Sequence, residues 1–121
     1  MYPKTTGTTV ASVDDTERLL RRLALNDEES VGMVLASGSE PGLAPLLPKV
    51  DLLVQLGALL ALGAATSSLR ATVERAIDAG ATETEIVGVL IAVAPAVGLA
   101  RVVSTAPRLA SAIGYDIEAD E

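Results

Sequence analysis

The sequence predicts an all-α protein. Apolar residues recur at helical spacing, cap and stop signals bound segments of helical length, and no run alternates apolar and polar residues over four or more positions. About six helices follow, organised around residues 48–107. Leu52–Leu69 and Ile86–Ala100 contain no charged side chain, and between them lies the charged segment Arg70–Asp78.

Residues 1–11 are polar and Thr-rich and read as a flexible N-terminus; 12–114 read as one helical domain and 115–121 as an acidic tail. Asp14-Asp-Thr-Glu17 has capping-box spacing and opens a helix to about Leu25. Leu19, Leu20, Leu23 and Leu25 line one side of it, with Arg18, Arg21 and Arg22 on the other. Asn26-Asp-Glu-Glu29 repeats the spacing and caps a second helix that stops near Gly38. Its three carboxylates are helix-start chemistry, favoured by the dipole, and not a metal site.

Pro48 suits the first position of a helix, where its missing N–H costs nothing. The helix from Lys49 to about Gly63 is apolar nearly all round, so most of its sides should be covered. Beyond Lys49, its only polar side chains are Asp51 and Gln55, one turn apart. Thr66, with Ser67 or Ser68 as alternatives, is the cap expected for a helix over Ser67–Ala79. On that helix Arg70, Glu74 and Asp78 form an ion-pair ladder at four-residue spacing. Gly80 stops it, taking the left-handed conformation cheaply. Thr82-Glu-Thr-Glu85 caps the longest apolar helix, Thr84 to about Thr105. Pro95 should kink or divide it, and Gly88 and Gly98 should let another backbone approach. A last helix, Arg108–Ile113, ends at Gly114.

Composition narrows the function. Nine basic against sixteen acidic residues give a net charge of −7, which argues against nucleic acid and anionic membrane surfaces. The chain has no Cys and no His, so thiol chemistry and the commonest general base and metal ligand are missing. No cofactor or metal is expected. The N-terminus has no signal-peptide core, glycines and polar residues break Leu52–Leu69, and Ile86–Ala100 is too short and contains Pro95, so no membrane span and a cytoplasmic location are expected. With no Phe or Trp, the core is built from Leu, Val, Ile and Ala. Each of these buries little area, which predicts a homo-oligomer that completes its core at a partner surface.

Several segments carry a family resemblance. They are the Pro48-Lys49 opening, the run Leu60-Ala-Leu-Gly63, Arg75-Ala-Ile-Asp-Ala-Gly-Ala-Thr82, and Glu85-Ile-Val with the apolar helix after it. Together they resemble the carboxymuconolactone decarboxylase family, which includes the alkylhydroperoxidase D-like proteins. The resemblance implies an all-helical fold that assembles as trimers or hexamers. It also implies where that family's chemistry would stand. The thiol branch carries C-x-x-C at a helix start and a His four residues on, and counting back from Gly80 these positions are Ala65, Ser68 and Thr72. The family's glutamate on the preceding helix falls near Leu52 or Leu53. None of these side chains supports peroxidase or disulfide-reductase chemistry. The decarboxylase branch uses a His in the same helix, and Thr72 stands in its place.

Two functions remain in view. One is a non-catalytic homo-oligomer that binds a small apolar molecule, a carboxylate ligand or a protein. The other is a lyase or isomerase acting on a small oxo-acid or lactone, with Asp51 as acid or base and Ser68 and Thr72 as hydrogen-bond donors. Arg70 or Arg101 would hold the substrate carboxylate. Asp51 draws notice because it stands one turn into an apolar helix, although a carboxylate is also ordinary in a first helical turn. Arg101 follows fifteen uncharged residues, and a helix-end or subunit-interface ion pair is its plainer role.

Overall fold

The computed structural model describes residues 13–36 and 46–116. The flexible start expected over 1–11, the helix end expected near Gly38 and the tail beyond Asp116 lie outside these residues. The described residues form six α-helices and no strand. The chain divides into two compact units, Met1–Leu46 and Leu47–Glu121.

The first unit contains α1 (Val13–Ala24) and α2 (Glu28–Leu35), which pack on each other. Arg18 pairs with Asp15 and Arg21 with Glu17, both at 2.7 Å on exposed surface. Such pairs add little stability. The cap of α2 is Asp27 and not Asn26. Asn26 takes the left-handed conformation (φ 60°), which Asn tolerates better than most residues, and so turns the chain between the helices. Asp27 Oδ2 then accepts from the Ser30 N–H at 3.0 Å and from its hydroxyl at 2.6 Å. These bonds hold the Asp27 carboxyl below its ordinary pKa, with the Ser30 hydroxyl contributing most.

The second unit is a four-helix bundle: α3 (Pro48–Leu62), α4 (Thr66–Asp78), α5 (Glu83–Val97) and α6 (Leu99–Ile113). α3 packs on α4 and α5, and α6 closes the ring against the same two helices. α3 opens with Pro48 in its first turn, as its sequence requires. It ends at Gly63 (φ 72°), where the Gly63 N–H bonds to the Leu60 carbonyl and the Ala64 N–H to the Leu59 carbonyl. This is the glycine stop that satisfies a helix's last carbonyls.

The cap expected at Thr66, Ser67 or Ser68 is absent. Ala65 precedes α4 and supplies no side-chain bond, because Thr66, Ser67 and Ser68 are already helical. The ladder on α4 does not form either. Arg70 reaches instead to α6, donating to the Ser111 carbonyl at 3.3 Å and its hydroxyl at 3.4 Å.

The capping box at Thr82 is present in full. Thr82 Oγ1 accepts from the Glu85 N–H at 3.1 Å, and Glu85 Oε1 accepts from the Thr82 N–H at 2.9 Å. The helix it opens does not run to Thr105. It stops at Gly98, whose φ of 87° and ψ of 167° lie in a region that essentially only glycine occupies. Pro95 and Pro107 lie inside α5 and α6 without ending them. Each proline deprives the carbonyl four residues earlier of its N–H partner. Those residues, Ile91 and Val103, are 67% and 62% exposed, so water can meet the need.

The core is small. Leu52, Leu56 and Leu60 of α3 meet Leu69, Val73 and Ala76 of α4, with Ala81, Ile86, Leu109 and Ala112 completing it. Leucine spacing of three to four residues puts each trio on one face.

Candidate functional site

The five residues singled out in the sequence do not converge. Asp51 is half-buried in the first turn of α3 and accepts from Gln55 Nε2 at 3.1 Å, a bond set by their four-residue spacing. Ser68 is exposed, whereas Thr72, one turn later on α4, is buried. Arg70 is taken up by Ser111. The Arg101 guanidinium packs against Gly63, in the space a Cβ would fill. No hydrogen bond or ion pair joins any two of these five residues.

Arg101 has company at the end of α3. Arg108 Nη1 donates to the Gly63 carbonyl at 3.0 Å and to the Ala64 carbonyl at 3.4 Å. Two cations one heptad apart on α6 therefore face the negative end of α3, where a cation is stabilised. The same field opposes a bound carboxylate, which weighs against Arg101 as a substrate anchor. Among the described residues, no group of three or more acidic side chains gathers in a way that could hold a metal ion. No helix among them is long and apolar enough to cross a membrane.

A cavity among the described residues lies on another side of α3. Val50, Leu53, Val54, Gly57 and Ala58 of α3 face Val89, Ala92 and Val93 of α5 across a groove of about 570 Å³. All eight lining residues are apolar. The two helices run alongside in the same sense: Lys49 pairs with Glu85 at 3.1 Å, and farther along Gly57 meets Val89 and Val93. Gly57 is what brings them close, since a Cβ there would stand 3.3 Å from a Val93 methyl and 3.4 Å from a Val89 methyl. The sequence had pointed to Gly88 and Gly98 for close approach, but nothing lies within 4 Å of the Cβ position at either. Asp51 and Gln55 are not among the lining residues, nor are Ala65, Ser68 and Thr72.

Glu85, at one end of this groove, is held below its ordinary pKa, first by the Thr82 backbone N–H and then by the Lys49 ammonium. It is therefore a fixed anion already paired, poorly suited to moving protons near neutral pH.

Most of the four-helix unit lies within a family domain. The model of the carboxymuconolactone decarboxylase family matches residues 42–111, more than half of the chain. The chain belongs to the carboxymuconolactone decarboxylase family. No curated protein and no solved structure is a match. Within this carboxymuconolactone decarboxylase domain, the positions that the resemblance assigned to thiols and histidine carry exposed Ala65, exposed Ser68 and buried Thr72. The groove residues escaped the sequence reading. They share one side of each helix, Val50, Val54, Gly57 and Ala58 on α3 and Val89, Ala92 and Val93 on α5, but helices apolar nearly all round give that side no distinguishing signal.

Proposed function

We propose that this protein is a non-catalytic, cytoplasmic binding member of the carboxymuconolactone decarboxylase family that works as a homo-oligomer, a trimer or hexamer. Its working surface is the groove between α3 and α5. One observation carries the reading: the groove is lined by eight apolar residues and no polar or charged one. Catalysis needs groups whose charge or hydrogen bonding changes along the reaction, and none is present there. An apolar surface of this kind gains free energy by being covered, at about 25 cal/mol per Å². Its occupant is thus an apolar molecule or the apolar face of a protein.

The test is titration of submicromolar protein with a fluorescent apolar probe such as anilinonaphthalene sulfonate. Emission should rise with the native sequence, should be lost in Val54→Glu, and should persist in Asp51→Asn. Val54 is 57% exposed, so the charge alters the groove at little cost to the fold. Equal emission from Val54→Glu would remove the groove from the function.

The lyase or isomerase reading keeps one observation in its favour, the half-buried Asp51–Gln55 pair on an otherwise apolar helix. Turnover of small lactones or oxo-acids that falls sharply in Asp51→Asn would establish it in place of the binding role.

A further inference from the structure

We infer that one exposed face of α6 is a docking strip for an acidic segment of another protein. The strip is a second surface, separate from the groove: none of its residues lines that groove. Three observations lead to it.

The first is where the basic residues gather. Five follow Leu47 in the chain: Lys49, Arg70, Arg75, Arg101 and Arg108. Lys49 is paired with Glu85, and three of the other four meet at α6. Arg101, Ser104, Arg108 and Ser111 follow one another at intervals of three, four and three residues, which places them on one face of that helix. All four are exposed, and Arg70 extends the strip by reaching Ser111 from α4. α6 itself contains no acidic residue.

The second is the missing counter-charge. Among the described residues, no carboxylate stands within ion-pair distance of Arg70, Arg101 or Arg108. Arg101 and Arg108 instead bring two like charges to the same residue, Gly63. A guanidinium holds five N–H donors in a planar fork that fits a carboxylate. Arg70 and Arg108 each commit one nitrogen to the protein, and Arg101 commits none among the described residues. In a chain of net charge −7, such a collection of unpaired cations is the exception.

The third is extent. From Arg101 to Ser111 the helix advances about 15 Å. The end of α3 sets roughly half a negative charge against the two guanidinium charges at Gly63, so the strip stays positive while its hold on any one carboxylate is reduced. Exposed ion pairs are also weak singly. The fitting occupant therefore spreads several carboxylates along the strip, as an acidic peptide segment does and a small substrate does not. Nucleic acid offers spread charge too. The chain's net charge of −7 repels its closely spaced phosphates, however, and no aromatic side chain on α6 offers its bases a stacking surface.

Fluorescence anisotropy of a labelled peptide of alternating Glu and Ala, titrated with the full chain, tests the inference. The native chain should bind it, with affinity falling several-fold between about 50 and about 300 mM salt. Arg101→Glu, and independently Arg70→Glu, should weaken binding about tenfold with unchanged far-UV circular dichroism. Arg75→Glu makes the same change in net charge, but Arg75 lies five residues from Arg70 and so on another side of α4. It should bind as the native chain does. No binding by the native chain, or an equal loss in Arg75→Glu, would overturn the strip. Displacement of the peptide by an oligonucleotide or by inorganic phosphate at lower concentration than by unlabelled peptide would overturn the acidic segment as occupant. Binding that appears only in the triple variant E118Q/D120N/E121Q would make the chain's own acidic end the occupant and overturn the partner protein.

Discussion

Thr105 is fully buried in α6, and its hydroxyl has no hydrogen-bond partner among the described residues. A buried hydroxyl without a partner keeps its desolvation cost and returns nothing. Thr105→Val should therefore stabilise the protein by about 1 kcal/mol, raising the thermal midpoint by a few degrees. Calorimetry decides it: a lower midpoint would mean that the hydroxyl has a structural role. Arg101 and Arg108 show the opposite situation, polar groups whose partners were not evident in the sequence. Their neighbour is the end of α3, some forty residues earlier in the chain. Spacing along one helix cannot reveal such a partner.

Helix ends were legible where a few adjacent residues settle them. The Thr82–Glu85 box, Pro48 at a helix start and the stop at Gly63 all involve neighbours within four residues. The break at Gly98 was not legible, because Pro95 is the stronger local signal and its effect is cancelled by the exposure of Ile91. Nor could the groove be located. A helix as uniformly apolar as α3 has no preferred side until α4 and α5 cover parts of it. The glycines of α5 make the point measurable. Gly88 is helical with open space at its Cβ position, so Gly88→Ala should stabilise by about 0.5–1 kcal/mol. Gly98→Ala forces a side chain into glycine-only backbone space and should cost about 1–3 kcal/mol. Urea unfolding of both variants at a dilution that keeps them monomeric checks the pair; equal effects would mean that the break does not depend on Gly98.

At the level of the whole molecule, acidity acts through two opposing routes. Net charge is −7 at neutral pH and vanishes near pH 4.5, so repulsion between copies and within each copy fades on acidification. Glu85 works the other way. Its folded pKa lies below the ordinary value of 4.5, so its stabilising contribution is complete above that value. The contribution is lost as pH falls through the depressed folded pKa. The thermal midpoint should thus hold between about pH 7 and 5 and drop below about pH 4, and Glu85→Gln should flatten that drop. An unchanged acid profile in Glu85→Gln would show that the Thr82–Glu85–Lys49 cluster does not couple protonation to folding.

The ring of four helices also fixes an order of events during synthesis. α3, α4 and α5 leave the ribosome before α6, and N-terminal segments generally gain structure first. Yet α4 and α5 each pack on α6, and Arg108 of α6 ties off the end of α3 across 45 residues of chain. Contacts of that span form late, because the intervening loop must first be closed. Until the final helix emerges, Leu69 and Val73 lack one wall of their core. The nascent bundle passes through an interval in which its apolar interior, as well as its apolar groove, is open to other chains.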